Sequence, residues 1–338
     1  MKSTFRKKMI IAMLFIILLI VIWSSLFIGR YPLSITKVAE IIFNNIFQSG
    51  KADTDIQNSV VLDIRFPRAL LGALVGASLA ASGTALQGLF RNPLVDAGLL
   101  GVSSGAGFGA ALAIILFHSQ VMIYIFSFGF GLLAVFLSYS VGKISKTTPA
   151  IMLVLGGVVI STMFSSLLAF LKYVADPYSQ LPAITFWMMG SLATASYGDI
   201  AISAIPMMIG MIGLLIVRWR LNVLSMGDKE AQVLGLHVSR NKMIIIICTT
   251  LATAGAVCVT GMIGWIGLII PHIGRMLVGN DNAFLMPASM ALGGIFLIVI
   301  DNIGRVLTGS EIPLSILTAI IGGPFYIYFL KKTKGGGW

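Results

Sequence analysis

Long apolar stretches alternate along the chain with short polar ones, and the apolar runs lack the period of two that a half-buried strand shows. A helix rises about 1.5 Å per residue and a bilayer's hydrocarbon core is about 30 Å thick, so about 20 apolar residues make a span. Helices satisfy their own backbone in lipid, whereas a barrel needs shorter, alternating segments. The pattern predicts ten spans, near 9–29, 64–89, 98–117, 121–142, 149–171, 199–219, 243–262, 264–279, 285–304 and 313–330. The first follows Lys2, Arg6, Lys7 and Lys8, but it is too long for a signal peptide and has no small-residue cleavage site, so it reads as a span. The run 243–279 is nearly unbroken and could hold one span or two. Two spans there bring both termini to one side, with Lys331, Lys332 and Lys334 beside the N-terminal cluster, as the positive-inside rule favours.

Composition agrees. Of 338 residues, 57% are hydrophobic and 10% charged, against about 25% charged in soluble domains. That excludes a soluble enzyme, a disordered tail and a nucleic-acid binder, and leaves an all-α polytopic membrane protein with a single transmembrane domain over 1–338. The formal net charge of +11 is explained by topology. Sixteen of the 23 basic residues fall on the inner side with only four acids, Asp96, Asp228, Glu230 and Asp281; Arg91, Lys143, Lys146, Arg218, Arg220, Lys229, Arg240, Lys242 and Arg275 are among the sixteen. The outer face nets −1, so no nucleic-acid partner is needed. Cys248 and Cys258 lie ten residues apart in one apolar run, about 15 Å along a helix and out of disulfide reach. Gly72 and Gly76, and the ladder Gly101, Gly105 and Gly109, have the spacing that lets helix backbones approach.

The chemistry that is missing directs the functional reading. Ion-coupled carriers place ionisable groups at mid-membrane; here the span middles are almost free of them, with Asp301 the exception near the outer end of its span. No G-x-x-x-x-G-K-[ST] loop occurs, and Gly142-Lys143 lacks both the upstream glycine and the following hydroxyl. His118, His237 and His272 are too scattered for a metal cluster. The drive must come from a partner.

Two polar features offer sites for partners. The inner loop 220–242 is the longest polar stretch on its face, and Asp228 to Leu234 reads as a short helix with Asp228, Lys229 and Glu230 at its start and Gly235 at its end. Ala231, Val233 and Leu234 give it an apolar side, and Ser239 is an N-cap candidate for the next span. Such a helix could transmit movement from a soluble motor, or be an ordinary charged loop. On the outer side, Arg65 and Arg68 share a helical face at the mouth of the second span, and Arg305 ends the ninth. They either snorkel to headgroups or form a cationic platform for acidic residues of an external partner.

Particular strings then become recognisable. Arg65-Phe-Pro-Arg68, the run Gly88-Leu-Phe-Arg-Asn-Pro-Leu through Gly105, Phe186-Trp-Met-Met-Gly190, Met226-Gly-Asp to Leu236 and Gly267-Leu-Ile-Ile-Pro-His-Ile-Gly-Arg275 occur in this order. They resemble the FecCD-type permease subunits of binding-protein-dependent ABC importers over essentially the whole chain. Ala97-Gly98 stands where the family often has Pro-Gly. The resemblance implies a type II importer permease fold of ten helices with inverted repeats, in which Pro93 and Pro271 would be matching irregularities. It implies a second permease subunit, identical or related, two cytoplasmic ATPases carrying ATP and Mg, and an external binding lipoprotein or periplasmic protein. No cofactor or metal is expected on this chain. In that frame Gly227, Asp228, Lys229, Glu230, Ala231, Leu234 and Gly235 would contact the ATPase, and Arg65, Arg68 and Arg305 would hold glutamates of the binding protein. Ser161, Ser165, Ser166 and Thr318 are candidates for the path, and the amphipathic stretch Ser34 to Phe47 for a short outer surface helix. The expected function is import of a ferric siderophore across the bacterial cytoplasmic membrane by alternating access, with both termini cytoplasmic. Haem or cobalamin are the alternative cargoes within the family, and a stand-alone secondary transporter or a scaffold the rivals outside it.

Overall fold

The computed structural model describes residues 2–47, 56–143 and 150–332. Lys146, Lys334 and the first residue of the predicted span 149–171 lie outside the described residues. The regular structure of the described residues is entirely helical. In chain order it comprises α1 (Lys2–Ser25), α2 (Ile35–Phe47), α3 (Ile56–Phe90), α4 (Val102–Leu116), α5 (Gln120–Gly142), α6 (Ala150–Val174), α7 (Gln180–Met188), α8 (Tyr197–Leu224), α9 (Asp228–Val233), α10 (Val238–Thr260), α11 (Ile266–Val278), α12 (Asn282–Leu307) and α13 (Leu314–Lys332).

Ten of these fall on the ten apolar stretches, but they are not alike. Seven (α1, α3, α5, α6, α8, α10 and α12) are long and apolar enough to cross a membrane, while α4, α11 and the apolar part of α13 are shorter. At 15 and 13 residues, α4 and α11 extend only about 20 Å. The stretch 243–279 is therefore one long helix and one short one.

The shortening has a backbone cause. α10 ends at Gly261 (φ 72°) and α11 begins after Trp265 (φ 72°), so the chain leaves and re-enters helix through left-handed conformations that hydropathy does not register. The same device separates α3 from α4, between Arg91 (φ 51°) and Gly101 (φ 89°). Inside that second link the Asp96 side chain accepts from the Gly98 N–H at 3.0 Å, capping a 3-10 turn over Ala97–Leu100. The two links correspond in form; Pro93 and Pro271 do not, because Pro93 lies in a link and Pro271 inside α11.

α3 is the central strut. It packs on α8, α10, α11 and α12, and its buried residues include Gly72, Gly76, Ser78, Ser82 and Gln87. At Gly76 the backbone of α3 meets that of α12 at Gly293 so closely that a Cβ on either glycine would collide with the other's carbonyl. Gly105 and Gly109 of α4 lie in the same way against the carbonyls of Phe130 and Phe126 on α5. These small residues serve helix contact, the arrangement that replaces hydrophobic collapse where the solvent is lipid.

Candidate functional site

Functional groups gather at the two ends of the bundle. The first end carries α9. Gly227 (φ 140°) turns the chain out of α8; Asp228 and Glu230 occupy the first turn of α9, where the positive end of the helix dipole favours them. The helix closes on Gly235 (φ 81°), whose N–H donates to the Gln232 carbonyl at 2.9 Å while the Leu236 N–H donates to the Ala231 carbonyl at 3.0 Å. This paired bonding around a left-handed glycine is a Schellman stop.

The apolar side expected of α9 is divided. Ala231 is fully buried against the bundle, whereas Val233 is 87% exposed, and Leu234 and the preceding Met226 are exposed too. The next helix starts at Val238 after His237, so Ser239 is inside α10 and is not its N-cap. A six-residue helix has little stability of its own, and tertiary contacts hold it. Asp228 Oδ2 receives the Lys242 ammonium at 2.7 Å. Beneath it, Arg220 of α8 donates to Asn241 Oδ1 of α10 at 2.9 Å, and Asn222 of α8 donates to Asp281 at 2.7 Å, just before α12. Beside this root lies a cavity of about 280 Å³ whose lining includes Gln87, Arg91, Asn92, Ser225 and Arg275; the Arg275 guanidinium donates to Gln87 Oε1.

The opposite end carries the arginines, and here the structure corrects the expectation of an exposed platform. Arg65, Arg68 and Arg305 are 3%, 5% and 5% exposed. Arg68 donates from Nε and Nη2 to both oxygens of Asp301 at 2.8–3.1 Å, and from Nη1 and Nη2 to the two oxygens of Glu311 at 2.9 and 2.8 Å. Arg305 pairs with the same Asp301 at 3.3 Å, donates to Ser25 Oγ at 2.8 Å and contacts Asn302 Oδ1. Arg65 donates to the carbonyls of Leu26 and Tyr31 at 2.8 and 2.5 Å, anchoring the chain between α1 and α2. The guanidinium groups point inward because carboxylates and carbonyls are there to receive them, and buried arginine demands such partners. At Glu311, in the loop after α12, burial pushes the carboxyl up, but the hydrogen bond and charge of Arg68 outweigh it and hold the group below the ordinary carboxylate range. What this end offers a partner is α2, with Lys37 and Glu40, together with Arg30 and Asp63.

The path candidates also separate. Thr318 is fully buried and donates to the Ser315 carbonyl at 3.2 Å, and Ser161 Oγ is buried, so neither presents a hydroxyl to a channel. Ser165 and Ser166 lie on an exposed face of α6, the first 3.4 Å from Ser104 Oγ, the second donating to the Thr162 carbonyl at 3.0 Å. Asp301 and Lys242 were visible in the sequence only as charges. The placement of Asp301 four residues before Arg305, on a span otherwise free of charge, was the available signal for the network.

Comparison with known proteins decides the family. The FecCD transport family matches residues 17–332. A molybdate import system permease protein of Haemophilus influenzae is 39% identical over 330 residues, covering 95% of each chain. The chain belongs to the FecCD family. A Helicobacter pylori protein named as an iron chelatin transport system permease is 37% identical over 329 residues, covering 96% of this chain and 98% of that one. A solved structure described as an inward-facing metal-chelate type ABC transporter superposes with a TM-score of 0.85 at 37% identity, covering 96% of this chain and 99% of that one. This FecCD chain is therefore a multi-span permease subunit of an ABC transporter, and ATP hydrolysis resides on a separate subunit. Its helices carry the importer permease fold.

Proposed function

We propose that the chain is one half of the pore of an importer in the bacterial cytoplasmic membrane and that its cargo is a ferric chelate. The α9 end lies on the cytoplasmic side with both termini, and the exposed apolar residues Met226, Val233 and Leu234 seat in the ATPase. The exposed residues in the first part of α6, including Ile151, Leu155, Val159 and Met163, meet a second permease subunit, and the face beyond them, at Ser165 and Ser166, borders the path. A binding protein delivers cargo to the opposite end. There Arg65, Arg68 and Arg305 set the shape of the docking surface from beneath, and the exposed groups of α2 with Arg30 make the direct contacts.

The observation that carries the cargo reading is the uncharged character of the exposed α6 face, where Ser165 and Ser166 interrupt apolar side chains. A metal whose charge is wrapped in an organic ligand passes an uncharged wall at little electrostatic cost, whereas a bare oxyanion needs hydrogen-bond donors or charge to offset its desolvation. The relative named for iron chelatin supports the same reading. A second reading, molybdate, is favoured by the relative at 39% identity. The test is ATP-dependent uptake into proteoliposomes holding the permease, its ATPase and its binding protein, with iron-55 siderophore and molybdenum-99 molybdate supplied in parallel. Accumulation of iron alone is expected; accumulation of molybdate alone replaces the first reading with the second.

A further inference from the structure

Lys242 is among the largest fully buried side chains of the molecule, at 1% exposure, although it lies only a turn inside the start of α10. Its ammonium reaches out of the bundle to Asp228, the first residue of α9, at 2.7 Å. The other ties at this root run between long helices: Arg220 to Asn241 joins α8 to α10, and Asn222 to Asp281 joins α8 to the start of α12. Among the described residues, Asp228–Lys242 is the ion pair that joins α9 itself to a span. α9 otherwise hangs from α8 through Gly227 and from α10 through Gly235, both with positive φ, and leans on the bundle through Ala231.

We infer that Lys242 is a positioning residue for energy coupling: through Asp228 it locks the short helix to α10, so that a push on α9 moves α10 instead of flexing the loop. Two glycine ends alone would let α9 swing. The pair of a buried ammonium and the half-exposed Asp228 carboxylate limits that freedom, because separating them takes from a desolvated charge the counterion that α9 supplies. α10 carries the movement inward to α3, on which it packs.

The inference rests on the reading of α9 as the ATPase contact and is independent of the cargo. α10 holds two native reporters, the buried free thiols of Cys248 and Cys258. The full-length permease, assembled with its ATPase subunits, is labelled with N-ethylmaleimide with and without ATP plus vanadate, and mass spectrometry reads each cysteine. In the wild type the trapped nucleotide should change the labelling rate by about fivefold or more, the lower range of coupling between distant sites. Lys242→Met keeps an apolar stem of similar length and should abolish most of that change while the ATPase still co-purifies; Asp228→Asn, which breaks the same pair from the α9 side, should abolish it too. The double variant should lose no more than the worse single one, since both remove the same link. A Lys242→Met protein that responds like the wild type overturns the proposal, as does a wild type whose thiols ignore nucleotide. Failure of the ATPase to co-purify with the wild type is a separate result, and it overturns the reading of α9 as well.

Discussion

The two ends of this bundle hold their charges in opposite ways. At the arginine end, Arg68 alone makes five short contacts to two carboxylates, and Arg305 and Arg65 add bonds to Asp301, Ser25 and the chain following α1. At the α9 end a six-residue helix between two glycines is pinned, among the described residues, by the Asp228–Lys242 pair and the buried Ala231. Dense bonding around buried guanidinium groups fixes a shape. A single pin between flexible ends allows a small element to be displaced as a body. Under the proposed function, the first end stays still and the second passes on movement.

The largest expected effect comes from breaking the densely bonded end. Arg68→Met strips Asp301 and Glu311 of their shared partner and should cost about 3–5 kcal/mol, as removal of one side of a buried pair does. Thermal unfolding in detergent and the yield of folded protein measure it, and a variant as stable as the wild type would erase the contrast between the ends. Replacing 227–235 by a Gly/Ser loop takes Asp228 from the buried Lys242 and removes the buried Ala231, so it should cost about 1–3 kcal/mol, less than Arg68→Met, yet abolish uptake while ATP hydrolysis continues. Normal uptake would show that α9 transmits nothing. Gly235→Val forces a β-branched residue into left-handed backbone and should weaken α9 by about 1–2 kcal/mol, read as faster proteolysis of the 226–240 segment with the spans intact.

How much of this was legible in the sequence follows the range of the interactions. α9 could be read because its signals are local: acids in the first turn and a glycine at the stop. The arginines could be located but not oriented. Spacing puts Arg65 and Arg68 on one face, but the carboxylates that turn Arg68 inward lie 233 and 243 residues further along. Lys242 counted as one more inner-face charge, because burial belongs to the packed bundle and leaves no mark on neighbouring residues. The lengths of α4 and α11 were hidden for another reason. Hydropathy runs unbroken through Gly261–Trp265 while the backbone does not.

The smallest effect sharpens the comparison at its edge. Glu311 is 33% exposed, so Glu311→Gln should cost about 1 kcal/mol or less, as partly exposed pairs do. Because Arg68 holds the Glu311 carboxyl below its ordinary value, the pair's contribution is complete above the unfolded value near 4.3 and fades as pH falls through the lower folded value. The gap in unfolding temperature between wild type and variant should therefore be constant from pH 7 to about 5 and close at more acid pH. A gap that widened on acidification would contradict the ion pair.

The meeting of Gly76 with Gly293 has a mechanical consequence. Two helices in main-chain contact, with Arg68 clamped to Asp301 near one extremity, cannot ratchet past each other by a turn without driving carbonyl into carbonyl. α3 and α12 must ride as a single beam through the transport cycle, so a covalent staple between them would leave turnover intact, and the gate has to open along some other seam.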